Sequence, residues 1–211
     1  MADGFADRFT VLRDTLCAFF DARASEGGTA APMLDEVAAA LAGIVPPVDR
    51  PAPFRLPGCR HYAGALAAAR CGALAPIAEA FDALEPDMAW TQTAHYRAAL
   101  GDDYMDNYAY SQLVGGWDSM VSHDRIAVGL FLIGPGRHYP EHHHEAEEIY
   151  IPLSGDTLWS LDGAPGTTAA PGTAIHNPPW QRHAMTTRET PLFAFYCWRG
   201  PVTDQAQLIE G

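Results

Sequence analysis

Between Phe5 and Ala22 the apolar residues Phe9, Leu12, Leu16, Phe19 and Phe20 recur at intervals of three and four, the spacing that lines one face of an α-helix. The same period predicts a second helix over Met33–Ile44 and a third over Tyr62–Leu84. Between them, Val45–Cys59 contains PPVDRPAPFRLPGC, whose prolines fix φ and remove N–H donors, so this stretch reads as a connecting loop. After Asp103 the period changes. Short β-rich runs follow, Tyr108–Val114, Ile126–Ile133, Glu148–Leu153, Thr157–Leu161, Thr173–Asn177 and Leu192–Trp198, divided by Gly and Pro, with Gly163–Gly172 placed as a hairpin connection. The expected fold is mainly β: a single antiparallel β-barrel of jelly-roll type over residues 103–211. It is preceded by an N-terminal helical region, residues 1–102, packed on the barrel as a layer over one face or an edge strand.

Composition narrows what such a barrel can do. The 211 residues suffice for a substantial core. Against 13 basic side chains stand 26 acidic ones, a formal charge of −13 that repels a phosphate backbone and argues against a nucleic-acid partner. All the basic residues are Arg; without Lys there is no Schiff-base chemistry, no lysine base and no lysine-dependent phosphate loop. Cys17, Cys59, Cys71 and Cys197 are widely spaced and form no CxxC pair, so they are expected to be buried free thiols. No apolar run approaches the ~20 residues of a membrane span, and MADGFADRF has acids where a secretory signal has a basic and then an apolar region. A cytoplasmic protein without a membrane partner is expected.

The candidate chemistry lies in GPGRHYPEHHHEAEEIYIPLSG, Gly134–Gly155, where His138, His142, His143 and His144 crowd among glutamates. Imidazole with carboxylate suits one divalent transition metal, Zn, Fe, Mn, Ni or Co. On a strand, residues two apart share a face, so His142 and His144 can look inward together while His143 points away. Glu148 can reach the same point across a turn, leaving Glu147 outward, and the best distant fourth ligand is His183, beyond a Pro-rich bend.

Gly136, His142, His144, Glu148 and Gly155 stand at the spacing of the first cupin motif, and Pro171–Gly172 with His183 resemble the second in outline, though no Asn follows that histidine. The wider pattern Y-x2-H-x-H-x3-E-x-Y, with DDYMDNYAYSQLVG before it and EIYIPLSGDTLW overlapping its end, resembles the cupin-type dimethylsulfoniopropionate (DMSP) lyases. That resemblance implies a carbon–sulfur lyase forming dimethyl sulfide and acrylate, with the metal held by His142, His144, Glu148 and His183. It also implies substrate contact and proton abstraction by Tyr139 and Tyr150, and an aromatic substrate neighbour at Trp198.

A phenol near a divalent cation can become a general base, and either Tyr150 or Tyr139 is placed for it. The substrate so implied is a small zwitterion whose sulfonium suits aromatic faces; Trp198, Trp159, Tyr104, Tyr108 and Tyr110 are candidates, with Trp198 favoured by the resemblance. Two rivals use the same fold: a cupin Fe(II) dioxygenase acting on a small organic acid or thiol, and a non-catalytic small-ligand sensor. The helical region is expected to cover the barrel or to form a dimer surface, so the chain is a monomer or homodimer.

Overall fold

In the computed structural model, which describes residues 4–116 and 118–209, the three-and-four spacing becomes α1 (Phe5–Ser25), with Phe9, Leu12, Leu16 and Phe20 buried along one face. Next comes α2 (Ala31–Ala42). The expected helix over Tyr62–Leu84 is two helices, α3 (Tyr62–Ala69) and α4 (Ala75–Leu84). The break follows from Gly72 in the intervening turn and from Pro76 in the first turn of α4, where a missing N–H is tolerated. The helix α5 (Tyr96–Met105), interrupted at Gly101 with φ 76°, was not foreseen. Among the described residues no helix is long and apolar enough to cross a membrane.

The remainder is β1 (Tyr108–Gly115), β2 (Val121–Ser122), β3 (Ile126–Ile133), β4 (His138–His143), β5 (Glu147–Ser154), β6 (Leu158–Leu161), β7 (Thr167–Thr168), β8 (Ile175–Asn177), β9 (His183–Thr186), β10 (Leu192–Arg199) and β11 (Gln207–Leu208). They form two sheets, one in the order β2-β1-β3-β10-β5-β8 and one in the order β11-β4-β9-β6-β7. All pairings are antiparallel except that of β1 with β2.

The period of two explains why β3 and β10 are apolar throughout. Val128, Leu130, Leu132, Phe193, Phe195 and Cys197 belong to a core shared with α1, α2 and α4, whereas Ala127, Phe131, Ile133, Ala194 and Tyr196 belong to a second core between the sheets. Both faces of the larger sheet are therefore covered, one by helices and one by the smaller sheet. Arg199 fastens the helical layer from outside, its guanidinium donating to Glu36 on α2 at 2.9 Å and to Glu147 on β5 at 3.0 Å. Among the cysteines, Cys59 and Cys197 are buried as expected, but Cys17 is half-buried and Cys71 is exposed, because it sits in the turn that divides α3 from α4.

Gly129 leaves room in the middle of β3. A Cβ there would stand 2.1 Å from the Ser111 carbonyl oxygen and 3.0 Å from the Tyr196 hydroxyl. Gly129→Ala is expected to destabilise the fold by about 1–3 kcal/mol, the usual effect of overpacking, read as a lowered midpoint in thermal denaturation.

Candidate metal centre

The space between the sheets is where the chemistry collects. His142 on β4 stands opposite His183 on β9, and Glu148 on β5 stands opposite Trp198 on β10 on one side and Asn177 on β8 on the other. His142, His144, Glu148 and His183 are all buried. His143 is half-buried and packs against the edge of Trp180 at 5.4 Å, and Glu147 meets Arg199 and His176 on the outer face, so the inward and outward assignments read from alternation match the structure.

Each inward histidine has one ring nitrogen committed to the backbone. The Nδ1 atoms of His142, His144 and His183 lie 2.9, 2.7 and 2.9 Å from the carbonyl oxygens of Pro140, Ala146 and Gln181. A carbonyl only accepts, so each Nδ1 carries a proton, and Nε2 faces the site, with a lone pair when the ring is neutral or a second N–H when it is charged. The Nε2 atoms of His144 and His183 both lie 3.2 Å from Glu148 Oε2. A lone pair facing a carboxylate at that distance needs a proton or a cation between them. These three side chains are the group whose ligand atoms all lie within 4.8 Å of one another among the described residues. They fit a divalent metal by donor type, burial and tautomer.

His142 stands beside this trio but outside it. Its ring is 4.0 Å from that of His183 and lies flat on Tyr139 at 3.9 Å, and the β4–β9 register shifts between Tyr139 and His142. Four ligands were expected; three meet this mutual closeness, and His142 packs directly against His183.

The electrostatics of the metal-free site follow from the same contacts. Burial alone raises the Glu148 pKa, but the charge and hydrogen bond of His144, with His183 adding to the effect, hold it well below the usual carboxylate range. Burial lowers His144, yet the Glu148 charge and hydrogen bond outweigh it and the net shift is upward. His142 is pushed well down by burial and then by His183. Tyr150 is raised far above a free phenol, first by burial and then by the Glu148 charge two residues before it on the same face of β5. Burial raises Tyr139 as well, with its tyrosine neighbours adding to the shift.

A cavity of about 210 Å³ opens onto Glu148, lined among others by Tyr108, Tyr110, Phe131, Tyr139, Tyr150, Tyr196 and Trp198. Trp198 also donates its indole N–H to Glu148 Oε1 at 2.5 Å and stacks on His144 at 4.2 Å. Two aromatics expected near a substrate lie elsewhere: Trp159 packs against Tyr150 in the core, and Tyr104 is buried among Tyr108 and Tyr139. Sequence reading missed Tyr196, which its spacing two residues before Trp198 could have placed on the same face. It missed Asn177, whose Nδ2 donates to Glu148 Oε2 at 3.0 Å, because only the β5–β8 register reveals the contact. It also missed Tyr96 on α5, which donates to the Ala206 carbonyl at 3.2 Å and so must accept from the Tyr139 hydroxyl, 2.7 Å away.

Two facing, largely antiparallel sheets enclosing a buried His–Glu–His cluster, whose side chains suit a metal, define a cupin barrel, here under a helical layer. The dimethylsulfoniopropionate lyase family model matches residues 30–194, and the chain belongs to that family. It is 34% identical over 128 residues to the dimethylsulfoniopropionate lyase DddQ of Ruegeria pomeroyi, covering 61% of this chain and 63% of that protein. It is also 35% identical over 95 residues to a putative dimethylsulfoniopropionate lyase, DddL, of Cereibacter sphaeroides, covering 44% of this chain and 39% of the relative. Those matches span less than two thirds of either relative's length. The crystal structure of the Ruegeria pomeroyi DddQ superposes with a TM-score of 0.67 at 29% identity, covering 95% of this chain and 98% of that one. A chain from the crystal structures of the DMSP lyases RdDddP and RnDddQII superposes with a TM-score of 0.72 at 25% identity, covering 98% and 100%.

Proposed function

We propose that the chain is a metal-dependent lyase that cleaves dimethylsulfoniopropionate to dimethyl sulfide and acrylate. The observation that carries this reading is the convergence of two imidazole Nε2 atoms on a buried carboxylate at the wall of an aromatic cavity that Tyr150 also lines. Family membership adds the substrate. His144, Glu148 and His183 would hold the metal, with His142 as the third histidine beside them. A divalent cation bound there would offset the Glu148 charge that keeps Tyr150 protonated and would stabilise the negative charge that develops on the substrate carboxylate.

Tyr150 as phenolate takes the proton from the carbon next to the carboxylate. The electron pair of that C–H bond becomes the carbon–carbon double bond, and the C–S bonding pair leaves with sulfur as neutral dimethyl sulfide. No general acid is needed, so a chain without Lys loses nothing for this reaction. Tyr150 is preferred to Tyr139 as base because it stands two residues from Glu148 on the same face of β5 and lines the same cavity, whereas the hydroxyl of Tyr139 is bonded to Tyr96. The sulfonium lies against Tyr108, Tyr110 and Trp198, each contact worth about 0.5–2 kcal/mol.

Headspace dimethyl sulfide above purified protein and substrate, in air and under anoxia, with and without chelator, tests this. Release that persists under anoxia and stops with chelator is expected. No release from metal-replete protein overturns the lyase reading, and a strict need for oxygen points to dioxygenase chemistry instead.

A further inference from the structure

We propose that Asn177 is a positioning residue for the metal centre, fixing the Glu148 carboxylate in concert with Trp198; the proposal rests on the metal-centre reading above. Trp198, Glu148 and Asn177 stand directly opposite one another on three neighbouring strands, β10, β5 and β8. From one side the indole N–H of Trp198 donates to Oε1 at 2.5 Å, and from the other Asn177 Nδ2 donates to Oε2 at 3.0 Å. One donor on each oxygen sets both the position and the plane of the carboxylate. Oε2 is thereby held at 3.2 Å from Nε2 of His144 and of His183. Orienting partners of this kind around ligands govern metal affinity.

The orientation of the amide reveals what the residue is for. A carboxylate only accepts, so the NH2 group must face Glu148. That choice leaves Asn177 Oδ1 buried with no hydrogen-bond partner among the described residues, in a side chain only 1% exposed. An orphaned buried carbonyl destabilises a fold, and Leu, close to Asn in shape, would remove it. What the amide gains in return is the donor it supplies to Glu148.

The test titrates metal-free wild type, Asn177→Leu and Trp198→Phe with Co²⁺ against a competing chelator, follows the visible Co²⁺ absorption, and melts each protein without metal. Wild type is expected to bind Co²⁺ stoichiometrically. Asn177→Leu is expected to bind it about 10–100-fold more weakly, with a changed absorption band and a metal-free melting point equal to or above that of wild type. Trp198→Phe keeps a ring over His144 but loses the donor, and its affinity falls in the same direction. Asn177→Ser, too short to reach the carboxylate, carries the same test if the Leu variant does not fold. Affinity and spectrum of the Asn177 variant within twofold of wild type overturn the proposal. A lowered metal-free melting point that accounts for the affinity loss also overturns it, because the residue is then only structural. Failure of wild type itself to take up Co²⁺ overturns the metal-centre reading and this proposal together.

Discussion

Tyr150→Phe is expected to lower kcat by about 10²–10⁴-fold, the range for losing a general base, while leaving metal content and folding intact. The phenylalanine keeps the ring among Phe131, Trp159 and Tyr196, so the packing between the sheets survives. Glu148 keeps Trp198 on one oxygen and Asn177 on the other, and so stays in place to hold a metal. Tyr139→Phe breaks only the link to Tyr96 and is expected to have a smaller effect on kcat. Measuring kcat for both variants beside their metal content separates the roles. A larger loss from Tyr139→Phe transfers the base to that residue, and a Tyr150→Phe protein that has shed its metal makes Tyr150 a ligand.

The two halves of the fold were legible because their periods differ. The helical face of α1 and the strands β1, β3, β5 and β10 follow from spacing, since burial along a helix or a strand repeats regularly. The division of Tyr62–Leu84 was hidden because Ala-rich flanks carry the helical pattern through the turn at Gly72. The strands β2, β7 and β11 have two residues each, too few to display any alternation. At the site, alternation and motif spacing identified His142, His144 and Glu148, which lie within seven residues of one another. Asn177 and Tyr96 come from elements that only tertiary pairing brings against Glu148 and Tyr139, so no local pattern announces them.

His183→Ala is expected to abolish both turnover and the stabilisation that metal confers. In the intact chain Nε2 of His144 and Nε2 of His183 approach the same Glu148 oxygen from different elements, one from the end of β4 and the other from β9. A metal there ties the smaller sheet to the larger one, and because the unfolded chain lacks that geometry, binding stabilises the fold. At a metal concentration about 100 times Kd the gain is about 2.7 kcal/mol, visible as a higher melting point that chelator reverses. Without His183 only His144 and Glu148 remain of the convergent trio, with His142 turned onto Tyr139. The affinity loss should therefore exceed the roughly 10–100-fold typical of a group that merely orients a ligand. Melting curves of wild type and His183→Ala, each with chelator and with Zn²⁺ or Co²⁺, check this. A His183→Ala protein that keeps the full metal-dependent shift removes His183 from the metal centre.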